Sequence, residues 1–167
     1  LAYAKQGFRV LGVGKGLWKE KHYPVSQEEF GFDFLGLIAF QDPPKDNIKD
    51  TISIFHHAGI QVKMITGDYA ETALAIAKQT ELDDSNTFLT GDDILHMSKE
   101  ELMQQVKQVN IFARMYPEAK LKVIDALREN GEVVAMTVDG DNDGHPLKAA
   151  YIGIYMVRRG KEQTKSA

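Results

Sequence analysis

The chain has 167 residues, 43% of them hydrophobic and 26% charged, with a formal net charge of -4. That length is enough to bury one core, and the lack of a basic block excludes a surface built for nucleic-acid phosphates. Cysteine is absent, which excludes disulfides and thiolate metal sites and leans towards a reducing compartment. No apolar run approaches the roughly 20 residues that a membrane-crossing helix needs, and no signal peptide is visible, so the chain is expected to be soluble.

Leu1 to Lys5 reads as the end of a helix stopped by Gly7, so the sequence is expected to open inside an element, and Phe8 to Val13 reads as a strand. The polar, aperiodic "LWKEKHYPVSQEEFGFD" that follows reads as a loop or linker. From Phe34 an alternation begins. "FLGLIAF" is a short apolar run bounded by Gly31 and "QDPPK", the pattern of a buried strand. Ile48, Ile52 and Phe55 recur at helical spacing, with Gly59 as the stop. "IQVKMI" is the next strand, "YAETALAIAKQ" the next helix and "NTFLTG" a short strand. "SKEELMQQVKQ" reads as a helix whose Ser98 and Glu101 form a capping box. "VNIFARM" is a strand, and "PEAKLKVIDALREN" is a helix with Pro117 in its first turn. "EVVAMTV", "PLKAA" and "YIGIYMV" read as strand, short helix and strand. Strands alternating with helices imply a doubly wound α/β fold, a parallel sheet flanked by helices.

Such sheets bind ligands at the carboxyl ends of their strands. The polar residues at those ends are Asp42, then Thr66, Gly67 and Asp68, then Arg114, and finally the acidic run after "EVVAM". Lys120 stands one helical turn beyond the loop that holds Arg114. A threonine hydroxyl and a glycine N–H at a helix N-terminus suit a phosphate oxygen. Lys120 would neutralise phosphoryl charge, and Asp139 would give magnesium a hard oxygen ligand. Together they supply the positioning and charge compensation of phosphoryl transfer. No Asp-Lys-Thr-Gly nucleophile motif occurs in the 167 residues.

Each signal also has a plainer reading. A Thr-Gly-Asp loop is more often turn and cap chemistry, a lone lysine a solvated helix residue, and Asp42-Pro43-Pro44 a rigid turn. His56 and His57 read as surface residues late on a helix, and Trp18 as a packing residue. "DGDNDG", from Asp139 to Gly144, also begins as an EF-hand calcium loop does. Its twelfth position, however, is Ala150 rather than a bidentate carboxylate, and a strand rather than a helix precedes it.

Taken in order, "DPPK", "MITGD", "ARMYPEAKLKVIDAL" and "DGDNDGHPLKAAYIGIYM" closely resemble the phosphorylation domain of P-type cation-transporting ATPases, from near Phe34 to the end of the chain. "DPPK" with "AGIQVKMITGD" is most similar to the calcium-pump branch. The resemblance implies a haloacid-dehalogenase-like Rossmann fold, incomplete at both ends, and an aspartyl-phosphate intermediate driving cation transport. It implies that residues 1–30 end a nucleotide-binding domain and its linker, while residues 31–167 form part of the phosphorylation domain. By position it implies phosphate contacts at Thr66 and Gly67 and a neutralising lysine at Lys120. It likewise implies a magnesium ligand at Asp139, supported by Asn142 and Asp143. Arg9 and Arg114 match arginines that contact ATP, and Asp42 and Asp68 fall at the hinge and nucleotide edge. The implied ligands are Mg2+ and ATP, and the implied partners are the actuator, nucleotide and membrane domains of a parent pump. The location implied is the cytoplasmic portion of an integral membrane protein.

The phosphorylated aspartate of that family lies before the nucleotide-binding domain, so the isolated chain is expected to be inactive. An alternative is a non-catalytic module derived from this domain, either magnesium- or phosphate-binding or purely structural. The sequence departs from the family in its acidic loop, with Val138 where glycine is usual and Asp141 where an apolar residue is common. A β-branched residue at a tight loop restricts its backbone.

Overall fold

The structure is a computed structural model that describes Tyr3 and residues 6–18, 21–26, 29–41, 43–82, 86–138 and 144–156. In chain order its elements are β1 (Arg9–Gly16), β2 (Phe32–Phe40), α1 (Ile48–His57), β3 (Met64–Ile65), α2 (Ala70–Gln79), β4 (Leu89–Thr90) and α3 (Gly91–His96). They continue with α4 (Lys99–Gln108), β5 (Ile111–Ala113), α5 (Pro117–Glu129), β6 (Ala135–Val138), α6 (Gly144–Ala149) and β7 (Ile152–Tyr155).

The centre is a parallel three-stranded sheet in the order β3-β5-β4. Its middle strand shows why both faces are covered. Side chains alternate across a strand, so Phe112 enters one core with Leu89, Ile94, Leu102, Val106 and Val123. Ile111 and Ala113 point the other way, into a second core with Ile52, Ala73, Ala77 and Leu82. All three β5 residues are fully buried. The helices that supply these cores begin and end where their sequences dictate. Ser98 accepts the Glu101 N–H and the Glu101 carboxylate accepts the Ser98 N–H, the capping box expected for α4. Thr90 and Asp93 do the same for α3. Beyond α1, Gly59 takes φ +73° and the Ile60 N–H bonds back to the Phe55 carbonyl, and with the Ala58 and Gly59 N–H groups the Ile54, Phe55 and His56 carbonyls are satisfied.

The remaining strands form two separate pairs. β6 and β7 are parallel, Ala135 opposite Ile152 and Val138 opposite Tyr155, and α6 between them packs on α5. Among the described residues no ladder joins β6 to β3. β1 and β2 form an antiparallel ribbon, Arg9 opposite Phe40 and Gly16 opposite Phe32, with a bulge after Val13. The sequence pattern had placed Phe34–Phe40 at the head of the parallel alternation. It does not join it, because an apolar run marks a strand without saying which neighbour it takes. What selects the neighbour is legible in β1. Gly12, Gly14 and Gly16 recur on one face, and the Phe34 and Phe32 rings lie over the space a side chain there would fill. Trp18 packs edge-on against Phe30 at 5.1 Å between ring centroids and donates to the His22 carbonyl, as a packing residue should.

Candidate phosphate-binding edge

In a parallel sheet adjacent strands end on the same side, so the loops leaving β3 and β5 are neighbours by construction. Backbone hydrogen bonds lock them together. The Thr66 N–H donates to the Phe112 carbonyl at 2.9 Å, the Met115 N–H to the Thr66 carbonyl at 3.0 Å, and the Arg114 N–H to the Asp68 carbonyl at 2.9 Å. The expected convergence of Thr66, Gly67 and Asp68 with Arg114 is therefore present. The Thr66 hydroxyl accepts the Asp68 N–H at 3.1 Å, which leaves its own proton to give. Gly67 is exposed, and a Cβ built there would lie 3.8 Å from the Met115 carbonyl, an ordinary contact.

Arg114 holds φ +52°, a left-handed backbone that a non-glycine residue adopts at a cost on the order of 1 kcal/mol. The two flanking backbone bonds, from Arg114 and Met115 into the β3 loop, impose it. The Arg114 guanidinium sits 4.6 Å from the centroid of the Tyr69 ring. Lys120 lies in the first turn of α5, half-buried, its N–H bonded to the Tyr116 carbonyl.

Two of the three helices that start at this edge lack a side-chain cap. α2 follows Tyr69 and α5 follows Tyr116, and neither has a side-chain cap. α3 and α4 both have capping boxes. Uncapped N-termini leave backbone donors for an anion, although Pro117 removes one from α5.

A third loop joins the edge, and the strand-end survey of the sequence did not include it. Gly91, after β4, is buried so tightly that a Cβ would stand 2.6 Å from the Arg114 carbonyl and 2.7 Å from the Tyr116 ring. The Tyr116 hydroxyl donates to Asp92 at 2.9 Å. Partial burial and then this carboxylate push the Tyr116 phenol above its usual pKa. The signal was present in "FLTGDD", a second Thr-Gly-Asp after a short strand. A cleft of about 440 Å³ lies beside this loop, lined by Asp92, Asp93, His96, Met97, Glu101 and Gln105. It includes none of Thr66, Gly67, Arg114 or Lys120.

Arg9 is exposed on β1, and among the described residues no hydrogen bond or ion pair ties it to the β3 edge. Asp42, Asp139, Asn142 and Asp143 lie outside the described residues. Val138 is the buried last residue of β6 in regular register, so its branched side chain serves a strand rather than a loop. Among the described residues no group of three or more His, Asp or Glu could hold a metal ion, and no helix is long and apolar enough to cross a membrane.

A doubly wound sheet with this loop pair at its carboxyl edge is a haloacid-dehalogenase-type arrangement. Residues 4–150 match the family model described as haloacid dehalogenase-like hydrolase, and the chain belongs to that family. Within it, the chain is homologous over nearly its whole length to a segment of calcium-transporting P-type ATPases. It is 40% identical to Calcium-transporting ATPase 1 of Saccharomyces cerevisiae, over 98% of this chain and 18% of that protein. It is also 40% identical to Calcium-transporting ATPase type 2C member 2 of Homo sapiens, over 96% and 16%, and to a Calcium-transporting ATPase of Bacillus subtilis, over 98% and 19%. The chain thus spans less than a fifth of the length of these relatives.

Proposed function

We propose that this chain is the phosphorylation-domain portion of a calcium-pump-like P-type ATPase, in which ATP hydrolysis through an aspartyl-phosphate drives cation transport across a membrane. The observation that carries this reading is the pair of loops after β3 and β5, bonded to each other at the carboxyl edge of the sheet. Thr66, whose hydroxyl oxygen accepts the Asp68 N–H, donates its hydroxyl proton to a phosphate oxygen. Gly67 offers its N–H to the same group. Among the described residues no contact requires a glycine there, which fits close approach of a ligand to the backbone. Lys120 offsets phosphoryl charge, while Arg114 and Arg9 contact the nucleotide with Asp68 and Asp42 at its edge.

The donor set of the acidic loop suits magnesium, a hard ion that prefers carboxylate oxygen. Asp139 would hold it, with Asn142 and Asp143 in support. When bound, Mg2+ neutralises charge on the transferring phosphoryl group. The remaining domains of such a pump would be this chain's partners, and the segment before residue 31 would end the nucleotide-binding domain.

The chain alone is inactive on this reading, because it contains no Asp-Lys-Thr-Gly. Incubating the purified chain with magnesium and γ-labelled ATP should leave no acid-stable phosphate on the protein. Its magnesium-dependent binding of a phosphate analogue should be saturable and lost in Asp139→Ala. Labelled protein would overturn the inactivity, and the absence of any response at millimolar magnesium would overturn the binding role.

A further inference from the structure

Tyr69 and Arg114 meet across the corner between β3 and β5, and the phosphate contacts of Thr66, Gly67 and Lys120 make no use of that meeting. Tyr69 immediately precedes α2, and Arg114 immediately follows β5. Both are exposed, yet the guanidinium carbon lies over the Tyr69 ring, 4.6 Å from its centroid. The left-handed backbone of Arg114 makes the meeting possible, and its N–H is fastened to the Asp68 carbonyl one residue before Tyr69. Strain of this kind persists where the surroundings over-determine it, and it gathers at ligand clamps. Among the described residues no carboxylate pairs with the guanidinium.

A tyrosine platform differs from an acidic partner in one decisive respect. It attracts the cation without taking up the paired N–H···O bonds that a carboxylate would take, so those bonds remain for a ligand. We propose that Tyr69 is a positioning residue. Its ring holds the Arg114 guanidinium in one plane at the sheet edge, so that the paired N–H groups meet the phosphate oxygens of a nucleotide. The proposal rests on the nucleotide-contacting role given to Arg114 above. The platform restricts a long side chain before the ligand arrives and so reduces the ordering cost of binding.

The test titrates magnesium-ATP and inorganic pyrophosphate into the full chain and into Tyr69→Ala, Tyr69→Phe and Arg114→Ala. Tyr69→Ala should weaken binding about two- to fivefold, the range of an exposed cation–π contact. Tyr69→Phe should restore it, and Tyr69→Ala should add nothing in the Arg114→Ala background. The Arg114 Nε resonance should show a ring-current shift that disappears in Tyr69→Ala and survives in Tyr69→Phe, a readout that a merely structural residue would not move. Binding by the parent chain that Tyr69→Ala leaves unchanged would overturn the positioning role alone. Failure of the parent chain to bind either probe would overturn the nucleotide reading and this inference together.

Discussion

The three-stranded sheet and the β1–β2 ribbon are built from equally apolar strands, yet they hold those residues in opposite ways. Ile111, Phe112 and Ala113 are wholly buried between helices on both faces of the sheet. In the ribbon Phe32, Phe34, Leu35, Leu37 and Phe40 are each more than half exposed. A strand contributes to stability through what covers it, and a two-stranded ribbon is marginal by itself. The sheet with its covering helices is therefore expected to hold the larger share of the stability, and the ribbon the smaller. Among the described residues, the start of the ribbon lies beside α2: a Cβ built at Gly7 would come within 4 Å of Ala75 and Gln79, and the Thr72 hydroxyl reaches the Phe8 carbonyl at 3.5 Å.

The sharpest way to break this contrast is to truncate one ring in each region. Phe112→Ala should cost about 3–5 kcal/mol, the loss for emptying an aromatic site in a packed core. Phe34→Ala should cost less than about 1 kcal/mol, as exposed positions do. Urea unfolding of both variants measures the difference, and equal losses would give the ribbon an equal share of the stability. A smaller effect probes the wall of the candidate site. Gly91→Ala drives a methyl into the Arg114 carbonyl and the Tyr116 ring, and it should cost about 1–3 kcal/mol by overpacking. The smallest effect concerns a cap at the edge of the sheet. Thr90→Ala should cost about 1 kcal/mol at neutral pH.

That last cost should also depend on pH. The Thr90 hydroxyl and N–H hold the Asp93 carboxyl below its usual pKa. A carboxyl depressed in the folded state stabilises fully above its unfolded pKa, roughly 4, and loses that contribution as pH falls through the folded value. The gap between parent and Thr90→Ala should therefore narrow in acid, which unfolding curves from neutral pH down to below pH 3 would record. A gap that stays constant would mean that Asp93 is not the group responsible.

Much of this architecture was legible in the chain. The helices announced themselves through Ser98 with Glu101, through Pro117 and through Gly59, since these residues satisfy or terminate backbone donors and acceptors locally. Thr66, Gly67, Asp68 and Arg114 were legible for a topological reason, because parallel strands must end on one side. Strand partners were not. β2 is apolar on both faces, so its pattern fits a parallel core and an antiparallel ribbon equally, and only the glycines of β1 favour the second. Helix α3 escaped notice because six residues give too short a period to detect. The meeting of Tyr69 and Arg114 escaped for another reason. It depends on a left-handed backbone at Arg114, and no local pattern in "FARMYP" marks that position for it.

Helix α5 gives the molecule a mechanical property. It packs on α3, α4 and α6, and the Asn130 side chain beyond its end donates to the Met103 carbonyl of α4 at 2.7 Å. With no ladder between β3 and β6 among the described residues, α5 is one connection between the two groups of parallel strands, through its packing on α3 and α4 and on α6. A displacement of α6 would therefore bear on the helix whose first turn holds Lys120.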